Sequence, residues 1–369
     1  MKISKINVKN KHTGYKIIIG NGVIGLLGKE IKKLCPKTKK IALVIDKNIP
    51  YNFKNQIKKN LKGYKIFIYD FLPNENLKSF KKANSLLENL IKENLSRSDT
   101  LITVGGGIIG DFGSFVASIY KRGINFINVP STLLAQVDSS IGGKTAVNST
   151  RGKNLIGTFY QPKLVISEIG LLKSLSKRNL VCGFAEILKH AIIKDNKFFE
   201  KLNKNSDKIL NKFNVDILRN IITKSCQIKL FYVNKDENEN NKRMILNYGH
   251  TFAHGIEGAN KYSRKINHGE AVLIGMILAT RLSFIRNLCT KKTLNKIENL
   301  YLNNKLLKKF THYLNKKNIN SIVNFMKVDK KNYDEKISLI LLKKLGKTTN
   351  PGDIRISSHD IKKYFEKII

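Results

Sequence analysis

The chain reads as a parallel-sheet α/β domain followed by a mainly helical domain, divided near residue 175. Three observations carry this reading. Short apolar runs (KIALVID from Lys40, TLITV from Thr100, NFINVP from Asn125) have the pattern of strands buried on both faces. They alternate with helical spacing, clearest in KSFKKANSLLENLIKENL over 78–95, which implies βαβ units. From about Ser176 strand signals nearly vanish, and amphipathic segments run over 181–195, 214–233, 243–260 and 268–288. The expected domains are therefore 1–175 and 176–369. ISLILL near Ile337 and DIRIS from Asp353 are the remaining strand candidates, and DENENN over 236–241 reads as a polar turn between helices.

Composition narrows the function classes. The 369 residues suffice for two domains, and 41% hydrophobic content is ordinary for a globular chain. The longest apolar run, AVLIGMILA from Ala271, is about half the roughly 20 residues of a membrane span. The first twenty residues have no apolar signal core. Cys35, Cys182, Cys226 and Cys289 are scattered without a CxxC, which points away from disulfides and thiolate zinc and toward a reducing cytoplasm. The net charge of +41 is spread along the whole chain with abundant Asn and Ile, and no zinc-finger spacing, RNP-like aromatic motif or basic arm accompanies it. Neither nucleic acid nor membrane is an expected partner. Small anionic substrates are.

The motifs follow in chain order. Gly105-Gly106-Gly107-Ile108-Ile109-Gly110 comes directly after TLITV, a G-x-G-x-x-G in strand-turn-helix context. Such glycines let backbone N–H groups approach a pyrophosphate at a helix N-terminus, although a plain βα turn has the same form. Asp111 either bonds a cofactor or caps the helix. Asp46, ending its strand, either holds a ribose hydroxyl or is a loop acid. The stretch AQVDSSIGGKTAVNSTRGKN sets Asp138, Lys144, Lys153 and Asn154 in a Gly/Ser/Thr-rich segment. That composition is poor for a helix core or a strand and suits wrapping a small anion. His250 and His254 share one face of a helix at i, i+4; His268 opens the next helix, and Glu186 lies in the helical AEILKH. Two histidines and a carboxylate form a common catalytic zinc set, and without cysteine Co²⁺ or Fe²⁺ suits it too. The absence of HExxH disfavours a metalloprotease.

Together these residues resemble the 3-dehydroquinate synthase family. GGGIIGDFGSFVAS, YKRG, VPSTLLAQVDSSIGGKTAVN, GKNLIGTFYQP, GFAEILKH, RMILNYGHTFAHGIE and HGEAVLIGM occur in the family's order across roughly residues 40–345. The resemblance implies a Rossmann-like N-terminal domain with a helical C-terminal domain, and a cytoplasmic homodimer. It makes Glu186, His250 and His268 the metal ligands. Asp46, Asn74, Glu75, Lys78, Gly106, Gly107, Ile108, Ile109, Gly110, Asp111, Ser131, Thr132, Leu171, Leu172, Lys173 and Ser174 would hold NAD, with Lys144 and Lys153 serving cofactor and substrate. Arg122, Asp138, Asn154, Lys189, Lys229, Arg243, Asn247, His254 and Lys330 or Lys331 would surround the substrate.

The implied reaction converts 3-deoxy-D-arabino-heptulosonate 7-phosphate to 3-dehydroquinate and phosphate. It proceeds by transient oxidation with NAD, β-elimination, re-reduction and intramolecular aldol closure, in aromatic amino-acid biosynthesis. His254 is the implied proton carrier, and domain closure on the substrate is expected. The chain departs from the family pattern at Ser131-Thr132, at Ser174-Leu175-Ser176 where a proline is usual, at Arg178-Asn179 where a glutamate is usual, and at His190. His190 either crowds the metal or supplies a fourth nitrogen. Metal-dependent alcohol dehydrogenases on the same scaffold should lack DSSIGGKT and GKN. Cyclases of other sugar phosphates differ at a few pocket positions, where Arg243 and Asn247 favour a carboxylate substrate. A basic binding protein with a lapsed site would not be expected to keep Glu186, His250, His268, Asp138 and Lys144 intact.

Overall fold

The computed structural model describes residues 2–9, 14–261, 263, 265–306, 313–314, 317–327 and 336–368. The chain divides into two compact units, Met1–Leu180 with Phe213–Leu230, and Val181–Lys212 with Phe231–Ile369.

The first unit is built on a seven-stranded sheet. Its strands are β1 (Ile3–Lys9), β2 (Gly14–Gly20), β3 (Lys40–Asp46), β4 (Lys65–Phe71), β5 (Thr100–Gly105), β6 (Asn125–Pro130) and, after a separate hairpin of β7 (Lys144–Ser149) and β8 (Gly152–Phe159), β9 (Leu164–Glu168). The order is β1-β2-β9-β6-β5-β3-β4, with β1–β2 antiparallel and every other pair parallel. The period of two along each strand sorts the core onto two faces. Ile41, Leu43 and Ile45 pack with Leu27 and Ile31 of α1 (Leu27–Leu34) and Ile57 of α2 (Tyr51–Asn60). Ala42 and Val44 pack with Leu86 and Leu90 of α3 (Phe80–Lys92) and Phe112, Phe115 and Val116 of α4 (Gly107–Ile119). Asp46, Gly105 and Pro130 close three adjacent parallel strands at their carboxyl ends, where open α/β sheets bind ligands.

The second unit is mainly helical. After α5 (Lys177–Lys194) come α6 (Asn196–Leu210), α7 (Val215–Val233, largely within the first unit), α8 (His250–Ala259), α9 (His268–Ile285), α10 (Lys291–Asn303) and the helices Ile319–Lys327 and Ser358–Ile368. The two late strand segments form small antiparallel pairs, Lys336–Ser338 with Arg355–Ser357 and Leu342–Lys344 with Lys347–Thr348.

Several expectations change. The segment after Gly143 is a hairpin, because Thr145, Val147, Ile156 and Thr158 supply β-branched pairs and the turn at 150–151 lets them meet. The expected continuous helix over 243–260 is a 3₁₀ turn (Lys242–Asn247) and then α8, since Gly249 sits at φ 79 in the left-handed region. Helix α6 joins the expected set; its apolar face (Phe198, Phe199, Leu202, Ile209) is diluted by lysine and asparagine. Helix α9 is long and apolar enough to cross a membrane by length and composition, because small residues extend its apolar run, but most of it is buried inside the fold.

Asp99, buried before β5, shows how this basic chain fastens its few acids. Its carboxylate accepts from the backbone N–H groups of Lys39, Lys40 and Ser96 at 2.7–2.9 Å and from the Ser96 hydroxyl at 2.8 Å. Burial alone would raise its pKa, yet these donors hold it below the usual 3.8. The ionised form therefore stabilises the fold fully above pH 3.8, and the gain is lost as pH falls through the lowered folded value. Asp99→Asn is expected to cost about 1–3 kcal/mol at neutral pH. Urea midpoints of parent and variant should converge below pH 3.8.

Candidate active site

In the first unit, α4 begins at Gly107 with Gly106 as its N-cap, and no side chain caps the first turn. Its N–H groups therefore remain available to an anion. The glycines are needed for close approach: a Cβ at Gly106 would lie 3.1 Å from Thr132 Cγ2, and one at Gly107 3.2 Å from Ser139 Oγ. Ile109 and Gly110 are buried and Ile108 half-buried, so this turn offers backbone rather than side chains. Asp46 is buried beside it, and desolvation raises its pKa although its carboxylate accepts from Asn48 N at 2.8 Å.

Two ion-pair systems tie the hairpin β7–β8 to the segment 74–78. Lys78, buried, donates to Asp111 Oδ2 at 2.6 Å and to Asn154 Oδ1 at 2.5 Å. Burial pushes the Asp111 carboxyl up while Lys78 opposes the rise. Lys153 pairs with Glu75 at 2.9 Å, and Glu75 also accepts from Asn148 at 2.9 Å. Burial opposes it, but Asn148 and Lys153 hold Glu75 below its usual value. Asn154 takes φ 57, a conformation asparagine tolerates better than most side chains. Asp138 lies on the turn 135–139, and Lys229 of α7 donates to its carboxylate at 2.7 Å and to its backbone oxygen. Arg122 and Lys144 are exposed, Arg122 at φ 62.

In the helical unit three elements converge. Glu186, in the middle of α5, has no solvent exposure, and Lys189 one turn on pairs with its Oε2. Its Oε1 faces Nε2 of His250 at 3.4 Å and Nε2 of His268 at 3.8 Å. One ligand atom from each of the three lies within 4.8 Å of the others, the spacing of donors around one cation. Electrostatics suit that role. Burial would raise Glu186, but Lys189 and then the imidazoles hold it well below the carboxylate range. Burial first, then Lys189, pulls His250 down to about 4, so it is neutral at neutral pH, as a ligand must be.

Local sequence sets this convergence. Asn267 and Glu270 form a reciprocal capping box (2.8 and 2.9 Å), which starts α9 with His268 as its first residue. Gly249 turns the chain so that α8 starts at His250, and Gly275 of α9 packs beneath it; a Cβ there would meet Gly249 O at 2.0 Å.

Lys189 is buried, and His254 is half-buried with its ring centroid 5.7 Å from that of His250. Arg243 is buried and donates to Glu237 O, while Asn247 donates to Glu239 Oε1 at 3.0 Å. His190 is fully buried one turn after Glu186. Lys330 and Lys331 lie outside the described residues. Leu171 and Leu172 are buried, Leu171 in the core beneath the sheet, so only their backbone can face a ligand; Lys173 and Ser174 are exposed. Ser131 is buried and Thr132 caps the turn after β6, accepting from Ala135 N at 3.2 Å. Sequence reasoning passed over Glu239, Glu257 (3.2 Å from His268 Nδ1) and buried Glu168, which accepts from the N–H groups of Gly22, Ile24 and Gly170. Glu257 had a signal, its place seven residues after His250 on the same helix face.

A parallel sheet with an open glycine turn, together with a helical unit carrying a two-histidine, one-carboxylate cluster, defines a class. Solved structures of a synthase and of dehydrogenases share its fold. The solved structure of a 2-deoxy-scyllo-inosose synthase with carbaglucose-6-phosphate, NAD⁺ and Co²⁺ is 25% identical, covering 99% of each chain with a TM-score of 0.86. A probable glycerol dehydrogenase from Sinorhizobium meliloti shares the fold more distantly, at 13% identity, 95% coverage of each chain and TM-score 0.66. Within the class, the model of the 3-dehydroquinate synthase N-terminal domain matches residues 68–182 and that of the C-terminal domain residues 183–332. 3-Dehydroquinate synthases of Pelagibacter ubique (45% identical, 94% of each chain) and Thermodesulfovibrio yellowstonii (38%, 98% of this chain and 99% of that one) align over almost the whole length. The chain belongs to the 3-dehydroquinate synthase family.

The Gly249–Gly275 contact gives a direct test of how the cluster is built. Gly275→Ala is expected to destabilise the protein by about 3 kcal/mol or more and to weaken metal uptake, because the α8 start must shift. Gly25→Ala, where nothing lies within 4 Å of the new Cβ, should do neither. Thermal melts and metal titrations of both variants check this.

Proposed function

We propose that this protein converts 3-deoxy-D-arabino-heptulosonate 7-phosphate to 3-dehydroquinate and phosphate, with NAD regenerated in every turnover. The observation that carries the reading is the buried cluster of Glu186, His250 and His268, set in a family whose members bear that activity in their name. The residues fit both cofactors. Glu186 is ionised and His250 neutral at neutral pH, the donor set a Zn²⁺ or Co²⁺ ion takes. The uncapped start of α4 and the acid at the end of β3 suit a dinucleotide's phosphates and ribose.

When bound, NAD accepts and returns a hydride, and the divalent metal polarises the reacting hydroxyl and the carbonyl formed from it. The chain's own groups do the rest. Asp46, Asn74, Glu75, Lys78, the 106–111 turn, Ser131, Thr132 and the 171–174 backbone hold the cofactor. Arg122, Lys144, Lys153, Lys229 and Arg243 supply positive charge for the substrate's carboxylate and phosphate, the arginines in fork geometry. Asp138, oriented by Lys229, and Asn154, oriented by Lys78, bind substrate hydroxyls. Lys189 keeps Glu186 ionised. His254, beside His250, moves the proton of the oxidised hydroxyl. Holding the opened intermediate in place favours the intramolecular aldol step. The four free, buried cysteines support placement in a reducing cytoplasm; a homodimer completes the reading.

The test is phosphate release from 3-deoxy-D-arabino-heptulosonate 7-phosphate with substoichiometric NAD and Zn²⁺. Turnover should exceed the NAD present, stop on chelation, and fall more than about 100-fold in His250→Ala. No phosphate, with NADH accumulating on simple alcohols, would place the chain with the dehydrogenases.

A further inference from the structure

Behind the proposed metal cluster stands a carboxylate that the reaction does not itself call for. Glu257 lies on α8, and its Oε2 is 3.2 Å from Nδ1 of His268. Its side chain is only 14% exposed. The other ring nitrogen of His268, Nε2, faces Glu186 Oε1 at 3.8 Å. A neutral imidazole has one N–H and one lone pair. A carboxylate accepting at Nδ1 places the proton there and leaves the lone pair on Nε2, the nitrogen that belongs to the cluster.

His250 meets the same requirement differently. Its Nδ1 lies 3.4 Å from the backbone carbonyl of Tyr248, and its Nε2 faces Glu186. The two histidines are thus held from behind by acceptors of unequal charge. His268 has the greater need: it is the first residue of α9, with a side chain 33% exposed against 12% for His250, so less packing fixes its ring. Glu257 also brings negative charge to the N-terminal end of α9, where the helix dipole favours it.

Resting on the reading of Glu186, His250 and His268 as metal ligands, we propose that Glu257 is a positioning residue of the metal centre. It holds His268 as the Nδ1–H tautomer and strengthens Nε2 as a donor. Carboxylates behind ligating histidines act this way in metal sites generally, and their loss costs about 10–100-fold in metal affinity.

The experiment uses the full-length, metal-stripped protein. Zn²⁺ is titrated against a chromophoric chelator, and Co²⁺ is added separately to record its visible absorption. Zn²⁺ bound by the parent and lost in His250→Ala upholds the ligand set; no binding by the parent would sink that reading and this proposal with it. Given parental binding, Glu257→Ala should bind Zn²⁺ about 10–100-fold more weakly and shift the Co²⁺ spectrum. Glu257→Gln, which keeps an acceptor oxygen, should recover most of the affinity. A folded Glu257→Ala protein with parental affinity and spectrum overturns the proposal while leaving the metal site standing. If that variant does not fold, ¹⁵N-histidine spectra of the metal-free parent decide: His268 must show the Nδ1–H tautomer, and Nε2–H overturns the assignment.

Discussion

A carboxylate without solvent exposure, Glu186, governs the helical unit. An ionised group taken out of water costs several kcal/mol unless charge and hydrogen bonds replace its hydration. Lys189 replaces part of it with a full positive charge one helical turn away. The remaining oxygen faces two imidazoles at 3.4 and 3.8 Å, and burial pulls the nearer one, His250, down to about 4, so it brings no full charge at neutral pH. A divalent cation among the three would complete the compensation, and Lys189 then balances the excess acid rather than the metal. The pair is thus an ingredient of the centre more than of the fold, since a buried ion pair alone is weak evidence of stability.

That requirement reaches into the backbone. Three ligands on three helices can meet only if helices approach closely at their ends. The glycines do this: Gly275 lets α9 touch Gly249, and Gly269 lets the start of α9 lie on Cys182 of α5, whose sulfur accepts from Gly269 N at 3.1 Å. Cys182 is therefore packing, with burial raising its thiol to about 12, not chemistry. The first unit places its polar groups by a different device. There, lysines of a chain with 68 basic and 27 acidic residues are used one at a time to aim single side chains, Lys78 at Asn154 and Asp111, Lys229 at Asp138. Lys78 and Lys229 stand apart from the other described lysines of that unit in being buried, each holding a carboxylate.

What could be read from sequence was what local chemistry writes down. Strand β5, the glycine turn and α4 follow from an apolar run, three glycines and helical spacing in immediate succession. The start of α9 at His268 was expected from helical spacing, and the structure adds the capping box of Asn267 and Glu270 that fixes it. The strands β4 and β9 carried weaker signals, because β4 is a half-exposed edge strand and β9 is five residues long. The hairpin β7–β8 read as a binding loop because the glycines and serines just before it and at its turn mask the β-branched pairs that close it. Glu239 was illegible for another reason, and Glu257 offered only its place on the helix face of His250. An acid on a helix or in a polar turn is ordinarily solvated, and nothing in its own neighbourhood says which distant histidine or asparagine it will face.

The fold and the metal cluster do not by themselves choose a chemistry, since dehydrogenases and cyclases share this architecture. A dehydrogenase needs a nucleotide, a metal and a hydroxyl in line. A cyclase that expels phosphate must also bind a second anionic group, keep the intermediate after oxidation, and return the hydride to it. In the proposed reading those extra demands fall, within the first unit, on Asp138 with its Lys229 strut, Lys144, and Lys153 with Asn154. They sit on the Asp138 turn, the β7–β8 hairpin and α7. The difference between two enzyme classes on one scaffold is thereby reduced to how many charged side chains are aimed, and by what.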